Sequence, residues 1–204
     1  MEIIYLVLFS ICAVFAQDAP PVRVTVFYEC LCGDSHRFID DQFYPTFTKL
    51  KDIMEVDTNA FGKANSTADS NGGYTFICQH GEFECQGNIM IGCAKKYIPD
   101  LDTFQDFNYC VMNSFYPPEE GKICADQLGV DFTPIDQCAT SIEGQTLLHE
   151  LGEKQAQLAP DLNYVPWIII NDVWTQEQQD AAEFGLLEVV CEAYTGNLPE
   201  ACAN

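Results

Sequence analysis

An α/β domain interrupted by a helical, disulfide-rich insertion is the fold class that the sequence predicts, on three observations. Residues 22–28 and 164–171 both have strand character and lie toward opposite ends of the chain. Between them, over about residues 80–160, the pattern is largely helical. Six cysteines, at positions 78, 85, 93, 110, 124 and 138, fall in or just before that middle stretch.

The segment Val22-Arg23-Val24-Thr25-Val26-Phe27-Tyr28 alternates and is β-branched, as a central strand would be. It runs directly into Glu29-Cys30-Leu31-Cys32-Gly33-Asp34-Ser35. Phe38, Ile39, Phe43, Phe47, Leu50, Ile53 and Met54 then recur at helical spacing, which predicts one long helix with a buried face, kinked at Pro45. A strand, a cysteine turn and a helix make the opening of a thioredoxin-like unit. The stretch around Asn65-Ser66-Thr67 is rich in Gly, Asn and Ser and is expected as an exposed loop. Residues 82–158 read as helical, punctuated by Pro117-Pro118 and Thr133-Pro134. The second strand has Pro166 near its start, Asn171-Asp172 a turn after it, and residues 178–194 an amphipathic helix through Ala182, Phe184, Leu187, Val190 and Cys191.

Residues 1–16 read as a cleaved signal peptide: an uncharged run from Ile3 to Phe15 closes on Ala16, although Glu2 stands where a basic residue is usual. The run falls short of the roughly 20 apolar residues of a membrane span, and no later stretch is longer. Residues 17–204 are then a single secreted domain. Loss of Cys12 with the leader leaves ten cysteines, and an even number in a secreted chain points to disulfides. The three histidines and the cysteines do not form two zinc knuckles, so neither a metal nor a cofactor is expected. Asn65 heads a glycosylation sequon. A formal charge of −22 argues against nucleic acid or an anionic membrane as partner; it suits solubility, or a compartment of low pH.

The most specific feature is Cys78-Gln79-His80-Gly81, followed by Glu84-Cys85, Asn88 and Cys93. With Tyr28-Glu29, Phe43-Tyr44-Pro45-Thr46, Val165-Pro166-Trp167 and the later cysteines Cys110, Cys124, Cys138, Cys191 and Cys202, it resembles the gamma-interferon-inducible lysosomal thiol reductase family over residues 22–202. That resemblance implies a thioredoxin fold with an inserted helical region, and reduction of protein disulfides in acidic endosomes or lysosomes. It implies four structural bridges among Cys78, Cys85, Cys93, Cys110, Cys124, Cys138, Cys191 and Cys202. It also makes Pro166 the candidate for a cis-proline facing the redox turn, against an ordinary trans edge-strand proline. His80, Glu84 and Asn88 are expected to be architectural, because the signature lies some 45 residues from the redox turn and nothing in the sequence joins them. His36 is the better placed to tune a thiol, though an exposed histidine at a helix start is the plainer expectation.

The redox turn departs from the family's Cys-x-x-Cys. The register of Tyr28-Glu29 makes Cys32 the first cysteine and puts Ser35 at the place of the second. A serine hydroxyl cannot form a disulfide, so it cannot release a substrate captured on Cys32. Cys30, extra to the family pattern, could resolve, although a Cys-x-Cys disulfide closes a very small ring. An external thiol could also resolve, with Cys32 acting alone at the helix start and Asp34 working against it. Alternatively Cys30 and Cys32 are bonded to one another or elsewhere, leaving no nucleophile. Impaired reductase activity with a protein-binding role is the favoured expectation; a working reductase acting on disulfide-containing proteins is the alternative. Export is favoured over a lysosomal destination.

Overall fold

The computed structural model of the chain describes residues 19–203; the predicted leader, with Cys12, lies outside the described residues. A three-stranded sheet in the order β2-β1-β5 carries the domain. Strand β1 (Val22–Tyr28) is central, parallel to β2 (Met54–Ala60) and antiparallel to β5 (Trp167–Ile170). All of β1 but Arg23 is buried, because its two faces are covered by different layers. One face joins the main core with Phe38, Ile39, Phe43 and Phe47; on the other, Phe27 packs with Trp167 and Ile169.

The helix after the redox turn differs from the sequence expectation. It is built from α1 (Gly33–Phe38), a π-helical turn over Ile39–Phe43, and α2 (Tyr44–Leu50). Pro45 has no N–H and its ring crowds the preceding turn. The helix answers by widening, so that the Tyr44 N–H bonds to the Ile39 carbonyl. Met54, expected at the end of this helix, instead opens β2.

Asn65 is also not in a loop. It begins β3 (Asn65–Ala68), which pairs antiparallel with β4 (Tyr74–Ile77); its side chain is exposed. The hairpin rests on α7 (Ile142–Gln155), where Tyr74 stacks on His149 and Ser66 Oγ lies 2.9 Å from His149 Nδ1.

Five helices fill the middle of the chain: α3 (Glu82–Tyr97), α4 (Leu101–Met112), α5 (Pro117–Leu128), α6 (Thr133–Ala139) and α7. Helix α3 runs through their centre and buries ten of its residues. Its entry is fixed by Gly81, whose φ of 92° and ψ of −172° suit glycine alone. Disulfides staple the assembly. Cys78–Cys85 ties the preceding loop to the first turn of α3, Cys93–Cys138 ties α3 to α6, and Cys110–Cys124 ties α4 to α5. Cys191–Cys202 holds the C-terminal segment on α8 (Gln176–Ala193), which covers the sheet beside β5. Among the described residues, Cys30 and Cys32 are the free cysteines.

Between sheet and insertion lies a cationic clasp. Lys95 Nζ is 2.5 Å from Asp57 Oδ1, and Lys154 bonds the other oxygen of the same carboxylate. Burial alone would raise the Asp57 carboxyl; the two ammonium groups outweigh it and hold it at about 2.

Candidate active site

Strand β1 delivers the redox turn to the edge of the domain, and α1 begins as it ends. Cys32 is the N-cap residue of α1, partly exposed, and its carbonyl accepts the first helical bond from the His36 N–H at 3.0 Å. Its sulfur lies 3.9 Å from the Val165 carbonyl oxygen. The Val165–Pro166 peptide bond is cis, so Pro166 stands beside the Cys32 thiol. Gln179, fully buried on α8, fixes this strand entry. It donates to the Pro166 carbonyl at 3.0 Å and accepts from the Ile168 N–H at 2.8 Å. No sequence signal singled out Gln179, because a glutamine on a helix is ordinarily a surface residue.

Ser35 is completely buried, one helical turn from Cys32. Its hydroxyl accepts a hydrogen bond from the Glu29 N–H at 3.3 Å, closing the turn on itself. His36 is half-buried rather than exposed, and its Nε2–H donates to the Cys30 carbonyl at 2.7 Å. It therefore stiffens the turn's backbone and touches neither sulfur.

Cys30 faces the other way. It has no accessible surface; its sulfur is 3.5 Å from the Glu84 carbonyl, and its N–H donates to Asn88 Oδ1 at 3.0 Å. A methyl group at Gly87 would stand 2.5 Å from this sulfur, so the absence of a side chain there is what admits it. Burial, reinforced by the Glu84 carboxylate, pushes the Cys30 thiol well above its ordinary range. Nearby, Tyr28 donates its buried hydroxyl to Asn108 Oδ1 at 2.5 Å.

Nothing in the sequence joins the Cys-Gln-His-Gly signature to the redox turn, yet the fold brings the two together. Helix α3 is driven into the back of the turn: Glu84, Gly87 and Asn88 all meet Cys30, and His80 Nδ1 lies 3.5 Å from Glu29 Oε2. The inserted helices bury the helix face that carries the signature, and that face supplies the Asn88 amide oxygen to the Cys30 N–H.

Comparison with known proteins settles the ancestry. The family described as Gamma interferon inducible lysosomal thiol reductase (GILT) matches residues 23–128. The chain is 37% identical, over 94% of its length and 77% of the relative's, to a goldfish (Carassius auratus) protein named gamma-interferon-inducible lysosomal thiol reductase. The chain belongs to the GILT family. A mouse (Mus musculus) protein of the same name is 31% identical over 91% of this chain and 73% of its own. GILT-like protein 1 of Drosophila melanogaster is 31% identical over 92% and 80%. Among solved structures, the reduced DsbA of Mycobacterium tuberculosis superposes with a TM-score of 0.53 at 17% identity, covering 89% of this chain and 88% of that one. A thioredoxin-like oxidoreductase from Silicibacter pomeroyi DSS-3 gives 0.53 at 14%, over 80% and 85%. These two likenesses establish the thioredoxin-like fold of this GILT-family chain. No helix among the described residues is long and apolar enough to cross a membrane.

Proposed function

We propose that this chain is a secreted GILT-family protein whose thiol-disulfide reductase activity is lost or much reduced, and that it acts by binding a protein partner. The observation that carries this reading is the arrangement of three side chains. Cys32 alone presents a sulfur beside the cis-proline, Ser35 holds an oxygen at the resolving position, and Cys30 is buried against α3. Reduction requires two sulfur exchanges. The Cys32 thiolate attacks a substrate disulfide, forming a bond to one substrate sulfur and releasing the other as thiolate; a second thiol must then attack Cys32 to free the first. Ser35 cannot supply that attack. Cys30 is disfavoured as a nucleophile because attack requires the thiolate, which burial opposes.

One observation favours a second reading. Cys32 remains a free, partly exposed thiol, so two molecules of an external thiol could complete each cycle, leaving joined to one another while Cys32 returns to its reduced form. The substrates would then be disulfide-containing proteins. The leader read at residues 1–16 supports export, and the exposed Asn65 is a candidate carrier of glycan; the name lysosomal carried by the relatives supports the alternative destination.

The deciding experiment measures turnover of a model protein disulfide at acidic pH with a limiting external thiol. Slow turnover by the natural chain, rising in Ser35→Cys, is the expected result. Efficient turnover by the natural chain that disappears in Cys32→Ser would overturn the impairment.

A further inference from the structure

We propose that Glu29, His80 and Glu84 form a binding site for one divalent transition-metal ion of the zinc class, behind the redox turn and independent of its thiol chemistry. Two segments supply the donors: Glu29 follows β1, while His80 and Glu84, four residues apart, lie in the loop before α3 and in its first turn. One donor atom from each lies within 4.8 Å of the others. One imidazole nitrogen with two carboxylate oxygens is a donor set that suits zinc and its neighbours.

Both carboxylates are held as metal-ligating carboxylates usually are, with one oxygen anchored and the other directed inward. Glu84 Oε1 accepts the His80 N–H at 3.0 Å, leaving Oε2 to face His80 Nδ1 at 2.5 Å. Glu29 Oε1 accepts the Lys63 N–H at 2.5 Å, leaving Oε2 to face the same nitrogen at 3.5 Å. That Glu29 Oε2 atom is the second and independent observation. It is completely buried, aims into the cluster and has no hydrogen-bond partner. An orphaned carboxylate oxygen in a protein interior is costly and rare. Among the described residues neither carboxylate pairs with a lysine or arginine side chain; His80 is their one ion-pair partner. A divalent cation would neutralise both, replacing the proton between His80 and Glu84 after that contact opens by roughly 1 Å. The His80 side chain is 35% exposed, which gives the ion a way in and leaves room for a water as a further ligand.

The sequence could not reveal this site, because its ligands are spaced as in no zinc knuckle and the third comes from another element. Its occupation would clamp the end of β1 to the start of α3.

The test titrates zinc(II) into chelator-treated, fully oxidised protein by calorimetry. Cys32→Ser serves as background, so that the exposed thiol cannot contribute. One equivalent should bind, and melting temperature should rise with zinc. Glu29→Gln, nearly isosteric, and His80→Gln should each weaken binding at least about tenfold, with melting of Glu29→Gln in the absence of metal no lower. Should Glu29→Gln fail to fold, the partly exposed His80→Gln carries the comparison. Cobalt(II) bound in place of zinc should lack the near-ultraviolet band of a cobalt–thiolate bond. No binding, equal affinity in the variants, or a thiolate band would each overturn the proposal.

Discussion

Gly87→Ala tests where the Cys30 sulfur lies, and on that location depends whether this cysteine can assist Cys32. The added Cβ would stand 2.5 Å from Cys30 Sγ, 3.2 Å from Pro118 Cγ and 3.3 Å from Pro118 Cα. Gly87 is buried inside α3, so the helix cannot tilt the methyl outward. Overpacking of this kind costs about 1–3 kcal/mol. Against it, alanine gains up to about 1 kcal/mol over glycine in a helix interior. The single variant therefore gives an ambiguous net change, and the cycle with Cys30→Ala separates the two effects. Helix propensity is the same in both backgrounds and cancels, whereas the sulfur contact exists in only one. Gly87→Ala should be less destabilising in the Cys30→Ala background than where Cys30 is kept, with a coupling energy of about 1–2 kcal/mol. For a chain of this size each kcal/mol moves the melting temperature by about 2–4 °C. Urea unfolding of the four proteins, under conditions that keep the disulfides, measures the coupling. A value within about 0.5 kcal/mol of zero, the margin within which independent sites add, would mean that the sulfur is not lodged against α3 and is available to Cys32.

Removing the bridge between α3 and α6 with Cys93→Ala and Cys138→Ala frees a loop with a sequence separation of 45. Loop-closure entropy sets the loss at about 4 kcal/mol; urea unfolding should show it, and a loss under about 1 kcal/mol would refute that account. The Asp57 carboxyl sits below its unfolded value, so its contribution is complete above about pH 4, falls as the pH drops toward 2, and amounts to roughly 2 kcal/mol. Stability profiles of the natural chain and Asp57→Asn should converge between pH 5 and pH 2 (about the range over which such a group titrates); parallel profiles would contradict the clasp. Gln179→Leu strands the buried Ile168 N–H and should cost about 1–3 kcal/mol, with faster amide exchange at Ile168; unchanged exchange would mean that Gln179 does not hold the strand entering from Pro166.

The elements legible in the sequence are those whose pattern is local. Strand β1 and its cysteine turn, the helical middle and the amphipathic α8 all declare themselves through periodicity over a few residues. Strand β2 did not, because Met54-Glu55-Val56-Asp57-Thr58-Asn59-Ala60 carries Asp57 and Asn59, residues that propensity disfavours in strands. They are tolerated there because Lys95 and Lys154, distant in sequence, bond both side chains. The β3–β4 hairpin hid behind Asn71-Gly72-Gly73, a turn that lies within a stretch polar enough to read as loop. At the candidate site, Cys32, Ser35 and Pro166 could be named from register and resemblance. The packing of Glu84, Gly87 and Asn88 against Cys30 could not, since nothing in a single sequence reports a contact made across more than 50 residues.

That contact changes what the family signature means for this chain. If its fixed residues served only the thiol chemistry, a chain with serine at position 35 would have little reason to keep them. They do structural duty instead. Asn88 satisfies the Cys30 N–H, and Glu84 anchors the His80 backbone. Loss of either would leave a backbone N–H unpaired beside the end of the central strand, whatever the chemistry at Cys32. Persistence of the signature is therefore evidence for the scaffold that presents Cys32 beside Pro166, and it is compatible with impaired turnover. A second sulfur at position 35 would enter a turn whose supporting contacts from Asn88, His36 and Gln179 are already in place, so Ser35→Cys should add a resolving thiol without rebuilding the site.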